Sequence, residues 1–88
     1  MSISSELLVV LPAHVPLHAR PAGAFVKAAM GFNSRITVSH GDKEADAKSI
    51  LSVLALGAEG GSQIRIRAEG EDAEAALQAI GDWSAGLE

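Results

Sequence analysis

The chain contains no cysteine in its 88 residues. That absence excludes a disulfide framework and a thiolate-ligated metal site, makes a reducing compartment the natural setting, and leaves packing to supply the stability. Aromatic residues are nearly as scarce, 3% of the chain against 48% for all hydrophobic types. The core is therefore expected to be Ala, Leu, Ile and Val, with Phe25, Phe32 and Trp83 as its few large pieces. No long apolar run is present: Leu7 to Leu11 is far too short for a signal peptide or a membrane span, and Met1 to Glu6 has no basic region. A cytoplasmic location without membrane insertion is expected. Net charge is −4, and the basic residues are scattered with no aromatics between them. This argues against nucleic acid as the main partner and for other proteins. Gly57, Gly60 and Gly61 occur without the lysine of a Gly-x-x-x-x-Gly-Lys loop, which points away from a kinase. No repeat, linker or low-complexity segment divides the chain, and its halves would be too short to bury separate cores. Residues 1–88 read as one domain.

What is present is a succession of short elements. Leu7-Leu8-Val9-Val10-Leu11, ended by Pro12, suits a buried strand over about residues 5–11. From Ala19, the apolar positions Ala22, Phe25, Val26, Ala29 and Met30 follow one helical face that Gly31 closes. Arg35 to Ser39 alternates with period two, and the Gly41-Asp42 turn leads into Lys43-Glu44-Ala45-Asp46, giving a hairpin. Ser49 is a suitable N-cap for a short helix through Leu56, ended by Gly57. Ile50, Val53 and Leu56 suffice to face the core, leaving Leu51 and Leu54 for an exposed apolar patch. Ile64, Ile66 and Ala68 alternate with Arg65 and Arg67 in a half-buried strand. After Gly70, the charges of Glu71, Asp72 and Glu74 load the first turn of a third helix facing inward through Ala73, Ala76, Leu77, Ile80 and Trp83. One helical layer covering one face of a four-stranded sheet makes an open-faced α/β (α+β) sandwich, mainly antiparallel because the connections are short. Periodicity does not fix the strand order.

The chemistry concentrates in Leu17-His18-Ala19-Arg20-Pro21-Ala22. Proline is tolerated only in the opening turn of a helix, so Pro21 dates the helix start to within about three residues. The N–H groups of a first turn lack intrahelical partners and, with the macrodipole, favour an anion there. Arg20 adds a forked donor for phosphate oxygens. Neutral imidazole is a good nucleophile toward phosphorus near pH 7, so His18 can form a phosphohistidine, as a carrier rather than a turnover catalyst. The alternative is a capping or surface histidine. Pro16 prevents His14 and His18 from sharing a helix face, and His14 and His40 lack spaced carboxylate or thiol partners. Both read as solvated loop or turn residues, and no metal or cofactor is expected. Ser34, Ser39, Ser49 and Asp46 form no recognisable nucleophile elbow, which sets a hydrolase aside. Ser49 has a second reading besides its cap: a phosphate there would meet the positive end of the second helix, altering the surface field without unfolding the domain.

That block, together with Phe32-Asn33-Ser34, the run from Lys48-Ser49-Ile50 to Gly57, and Ala68-Glu69-Gly70-Glu71-Asp72-Ala73, closely resembles the HPr family. These are the histidine-containing phosphocarriers of the phosphoenolpyruvate-dependent sugar phosphotransferase system (PTS), and the match runs from about residue 6 to the end. The resemblance implies an open-faced sandwich of four strands and three helices. It implies a monomeric carrier rather than an enzyme, in which His18 accepts a phosphoryl group on Nδ1 from enzyme I and passes it to the EIIA domains of sugar transporters. Arg20 would assist transfer, and Ala19 and Arg20 would hold the phosphate. Ser49 matches the serine modified by HPr kinase/phosphorylase, with a transcriptional regulator as a further partner. Leu51 and Leu54 match docking positions where the family often has methionine. A regulatory interaction protein of a nitrogen-type or carbon-catabolite phosphorelay is the alternative. Val15 and Pro16 depart from the small polar residue and glycine frequent in the family, so the loop should be stiffer and offers the phosphate no polar side chain from these two positions.

Overall fold

Strands and helices follow one another as β1 (Ser4–Val10), α1 (Ala19–Met30), β2 (Arg35–His40), β3 (Lys43–Asp46), α2 (Ile50–Ala55), β4 (Gln63–Glu69) and α3 (Ala73–Ala85). These elements belong to a computed structural model that describes residues 4–87; residues 1–3 and 88, the ends of the expected single domain, lie outside the described residues. The sheet order is β1-β4-β2-β3, and every neighbouring pair is antiparallel. β4 therefore lies between β1 and β2, with Ile66 opposite both Leu7 and Val38. The expected open-faced sandwich is the architecture observed.

Period-two alternation decides which face is covered. Ile64, Ile66 and Ala68 of β4 point the same way as Ile36 and Val38 of β2, Val9 of β1 and Ala45 of β3, and all are buried. Against them pack Ala22, Phe25, Val26 and Ala29 of α1, Val53 of α2, and Ala73, Ala76 and Ile80 of α3. Each large apolar side chain removed from water contributes about 1.5–3 kcal/mol. An exposed ion pair contributes at most about 1 kcal/mol. The isoleucines and valines, rather than the charges of the outer face, thus hold the register.

Three expectations need correction. β1 was expected to be buried as a whole, yet Leu8 is 55% and Val10 65% exposed. The single helical layer leaves the opposite face of every strand open, and there Leu8 stands beside Arg65 and Val10 beside Gln63. Ile50 was expected to face the core, but it is 38% exposed. The six-residue α2 turns too few residues inward, so Val53 and the following Leu56 make its core contact. His40 ends β2 instead of lying in a solvated loop, and its Nδ1 lies 3.2 Å from the Leu56 carbonyl at the end of α2.

Asp72 is more than a first-turn charge. It is the N-cap residue of α3, but its carboxylate makes no cap bond. Instead it accepts from the Asn33 N–H at 2.8 Å, from the Ser34 N–H at 2.9 Å and from the Ser34 hydroxyl. The Ser34 hydroxyl first, then the Asn33 N–H, hold this carboxyl below its ordinary value. Gly70 makes the approach possible: its φ is +143°, and a Cβ there would come within 2.5 Å of Ser34 Oγ.

Candidate functional site

The loop between β1 and α1 is built from two turns. The Val15 N–H donates to the Pro12 carbonyl at 3.0 Å, and the His18 N–H donates to the Pro16 carbonyl at 2.8 Å, closing a three-residue γ-turn immediately before the helix. A second loop, following α2, fastens this one. The Leu11 N–H donates to Ser62 at 2.9 Å, the Gly61 N–H to Leu11 at 2.9 Å, and the Leu17 N–H to Ala58 at 2.9 Å. Gly60 lies so close that a Cβ on it would come within 2.2 Å of the Ala13 carbonyl oxygen. Leu17 is buried in the core cluster while His18, Ala19 and Arg20 are exposed, so the anchor and the reactive group are adjacent residues.

His18 is the N-cap residue of α1, with extended backbone (φ −92°, ψ −170°), and its carbonyl accepts the Ala22 N–H at 2.8 Å. Its imidazole makes no capping bond, which sets aside the capping reading and leaves the ring exposed. The first-turn N–H groups are those of Ala19 and Arg20, because Pro21 in the third helical position has none. No acidic residue lies in this turn, so the positive end of α1 is not neutralised from within its own helix. Arg20 borders a groove of about 310 Å³ that Val15, Pro21, Ala24, Trp83 and Leu87 also line.

α2 lies beside this site. Because Leu17 is bonded to Ala58, the C-terminal end of α2 is the nearer one, and Ser49 lies at the opposite end of that helix, which is about 9 Å long at 1.5 Å per residue. Ser49 caps α2 as expected: its Oγ accepts the Ser52 N–H at 3.4 Å and donates to Ser52 Oγ at 3.1 Å. Leu51 is 77% exposed and Leu54 36%, which with Ile50 makes an apolar patch on the outer side of α2. One contributor was missed in the sequence. Trp83 donates from Nε1 to the Pro21 carbonyl at 3.0 Å and packs on Phe25 with ring centroids 5.0 Å apart. Its place on an apolar helical face announced the packing; nothing in the spacing announced a partner 62 residues away.

No helix among the described residues is long and apolar enough to cross a membrane. The family model described as "PTS HPr component phosphorylation site" matches residues 6–85. The phosphocarrier protein HPr of Mycoplasma capricolum subsp. capricolum is 42% identical over 76 residues, which is 86% of this chain and 85% of that protein. A multiphosphoryl transfer protein of Salmonella typhimurium is 49% identical over 69 residues, 75% of this chain but only 18% of that much longer protein. Among solved structures, HPr-C-His from Thermoanaerobacter tengcongensis superposes with a TM-score of 0.89 at 36% identity, covering 94% of this chain and 93% of the other. With its fold, its exposed helix-start histidine and these relatives in agreement, the chain belongs to the HPr family of PTS phosphocarriers.

Proposed function

We propose that His18 is the residue that carries the phosphoryl group, accepting it on Nδ1 from phospho-enzyme I and donating it to EIIA domains of sugar transporters. The observation that supports this most is the exposed imidazole at the start of α1, which makes no cap bond and is followed by two N–H groups and a guanidinium. As the Nδ1 lone pair forms the new N–P bond, the bond from phosphorus to the donor breaks, and the donor keeps that electron pair. The phosphate oxygens then lie toward the N–H groups of Ala19 and Arg20 and the Arg20 fork. A helix start favours an anion by only about 0.3–1 kcal/mol, up to about 2 when partly buried. A charge-assisted hydrogen bond adds about 1.5–3 kcal/mol. These magnitudes orient a phosphoryl group without trapping it, which is what a carrier between two partners requires.

Ile50, Leu51 and Leu54 supply the apolar surface on which enzyme I and EIIA domains dock. Ser49 is the site at which HPr kinase/phosphorylase regulates the carrier, with a transcriptional regulator as the reader. A phosphate on its Oγ would lie at the positive end of α2 and place two negative charges beside Leu51, opposing docking without melting the helix.

The test is incubation with enzyme I and phosphoenolpyruvate. The wild-type chain is expected to acquire an acid-labile, alkali-stable phosphate that passes to EIIA domains, and His18→Ala is expected to acquire none. Label of that kind on His18→Ala would end the assignment. Labelling without transfer to any EIIA domain would favour a carrier that acts through regulatory partners.

A further inference from the structure

Trp83 occupies an unusual position relative to the reacting end of α1. Its indole N–H donates to the Pro21 carbonyl at 3.0 Å. The same peptide unit, through the Ala22 N–H, donates to the His18 carbonyl at 2.8 Å. The three groups form one chain, in which the indole N–H, the Pro21–Ala22 peptide and the His18 carbonyl polarise in series. The first turn of a helix is held at its N-terminal edge by few bonds of its own, because its leading N–H groups have no acceptor within the helix. The indole supplies a fixed point from outside the helix, and its own position is set by packing against Phe25 and by membership of α3. Trp83 also lines the groove shared by Val15 and Arg20, on either side of His18 in sequence.

We infer that Trp83 is a positioning residue for phosphoryl transfer: by anchoring the Pro21 carbonyl it fixes the peptide plane that grips the His18 carbonyl, and with it the first-turn N–H groups that meet the phosphate. The inference rests on the reading of His18 as the phosphoryl-bearing residue. A small displacement of the accepting group lowers the rate of an in-line transfer much more than it changes the stability of the domain. Removing the indole N–H therefore acts on the chemical step, not on docking through Leu51 and Leu54.

The test compares wild type, Trp83→Phe and Ile66→Val. Trp83→Phe keeps an aromatic ring against Phe25 and deletes the N–H, whereas Ile66→Val trims the core in β4 away from the site. All three are brought below their measured melting temperatures, and phosphorylation by phospho-enzyme I is followed over a range of enzyme I concentrations. Trp83→Phe is expected to lower the saturating rate about three- to tenfold with little change in the half-saturating concentration. It is also expected to shift the Ala22 amide proton resonance. Ile66→Val is expected to do neither. Equal saturating rates for wild type and Trp83→Phe, with His18 labelled in both, would overturn the inference and leave the phosphocarrier reading intact. Equal slowing by Ile66→Val would overturn it by assigning the effect to loosened packing. If wild type itself takes no label at His18, the phosphocarrier reading fails and the inference falls with it.

Discussion

Arg20 shows how much a single side chain carries that its net charge does not. It is exposed, two residues beyond His18, and lies in the first turn where a phosphate oxygen would be met. Arg20→Lys keeps the positive charge and loses the planar fork. Transfer from phospho-enzyme I is expected to slow about tenfold. Stability should stay within about 0.5 kcal/mol, the usual range for exposed substitutions, as a thermal melt would check. The residues of the candidate site stood out in the sequence because their signal is local: a histidine, an arginine and a helix-starting proline within four positions. His40, Asp72 and Trp83 were not legible in the same way. The bonds of Asp72 and Trp83 reach 38–39 and 62 residues along the chain, and no short-range spacing encodes such partners. His40 reaches only 16 residues, but its partner is a backbone carbonyl, which leaves no mark in the sequence.

Elements were easier to locate than their exposed sides. The aliphatic run of β1 identified a strand at once, but five consecutive apolar residues do not show that one face will have no helix over it. The open face carries Leu8 and Val10 among Glu6, Arg65 and Arg67, where hydropathy alone would have placed them inside. α2 gives the reverse lesson: the Ser49 cap and the Gly57 stop, with its φ of +65°, were both readable, while the exposure of Ile50 depended on how α2 seats against its neighbours. Between elements, the loop before His18 depends on the loop after α2, and Gly60 is where they meet. Gly60→Ala forces a Cβ against the Ala13 carbonyl and must displace one loop. An overpacked contact of this kind costs about 1–3 kcal/mol. The melting temperature should fall by about 4–8 °C for each kcal/mol lost. The phosphoryl transfer proposed for His18 should slow as well; an unchanged melt and rate would show that the two loops move independently.

At the scale of the molecule, the start of β2 and the start of α3 are joined through Asp72 and the Asn33–Ser34 backbone. The folded-state carboxyl lies below its ordinary value of 3.8, so this junction contributes its full stability above that pH. The contribution disappears as the pH falls through 3.8 toward the lowered folded-state value. Asp72→Asn should therefore be less stable than wild type at neutral pH, with the gap closing in acid. Melts across that range would measure it, and a gap independent of pH would count against the ionised carboxylate. Trp83 fluorescence and far-UV circular dichroism should report the same transition, as one continuous core demands. The sheet order has a consequence for how the molecule comes into being. β4 is the last strand in the chain and the one that β1 and β2 both require as a neighbour. Residues 11–62 separate β1 from β4, whereas β2 and β3 are joined by a short turn and can pair as a hairpin at little loop-closure cost. Until residues 63–69 join the sheet, β1 has no neighbouring strand, so any partly folded form that lacks β4 leaves the aliphatic run Leu7–Val10 unpaired and open to wrong partners.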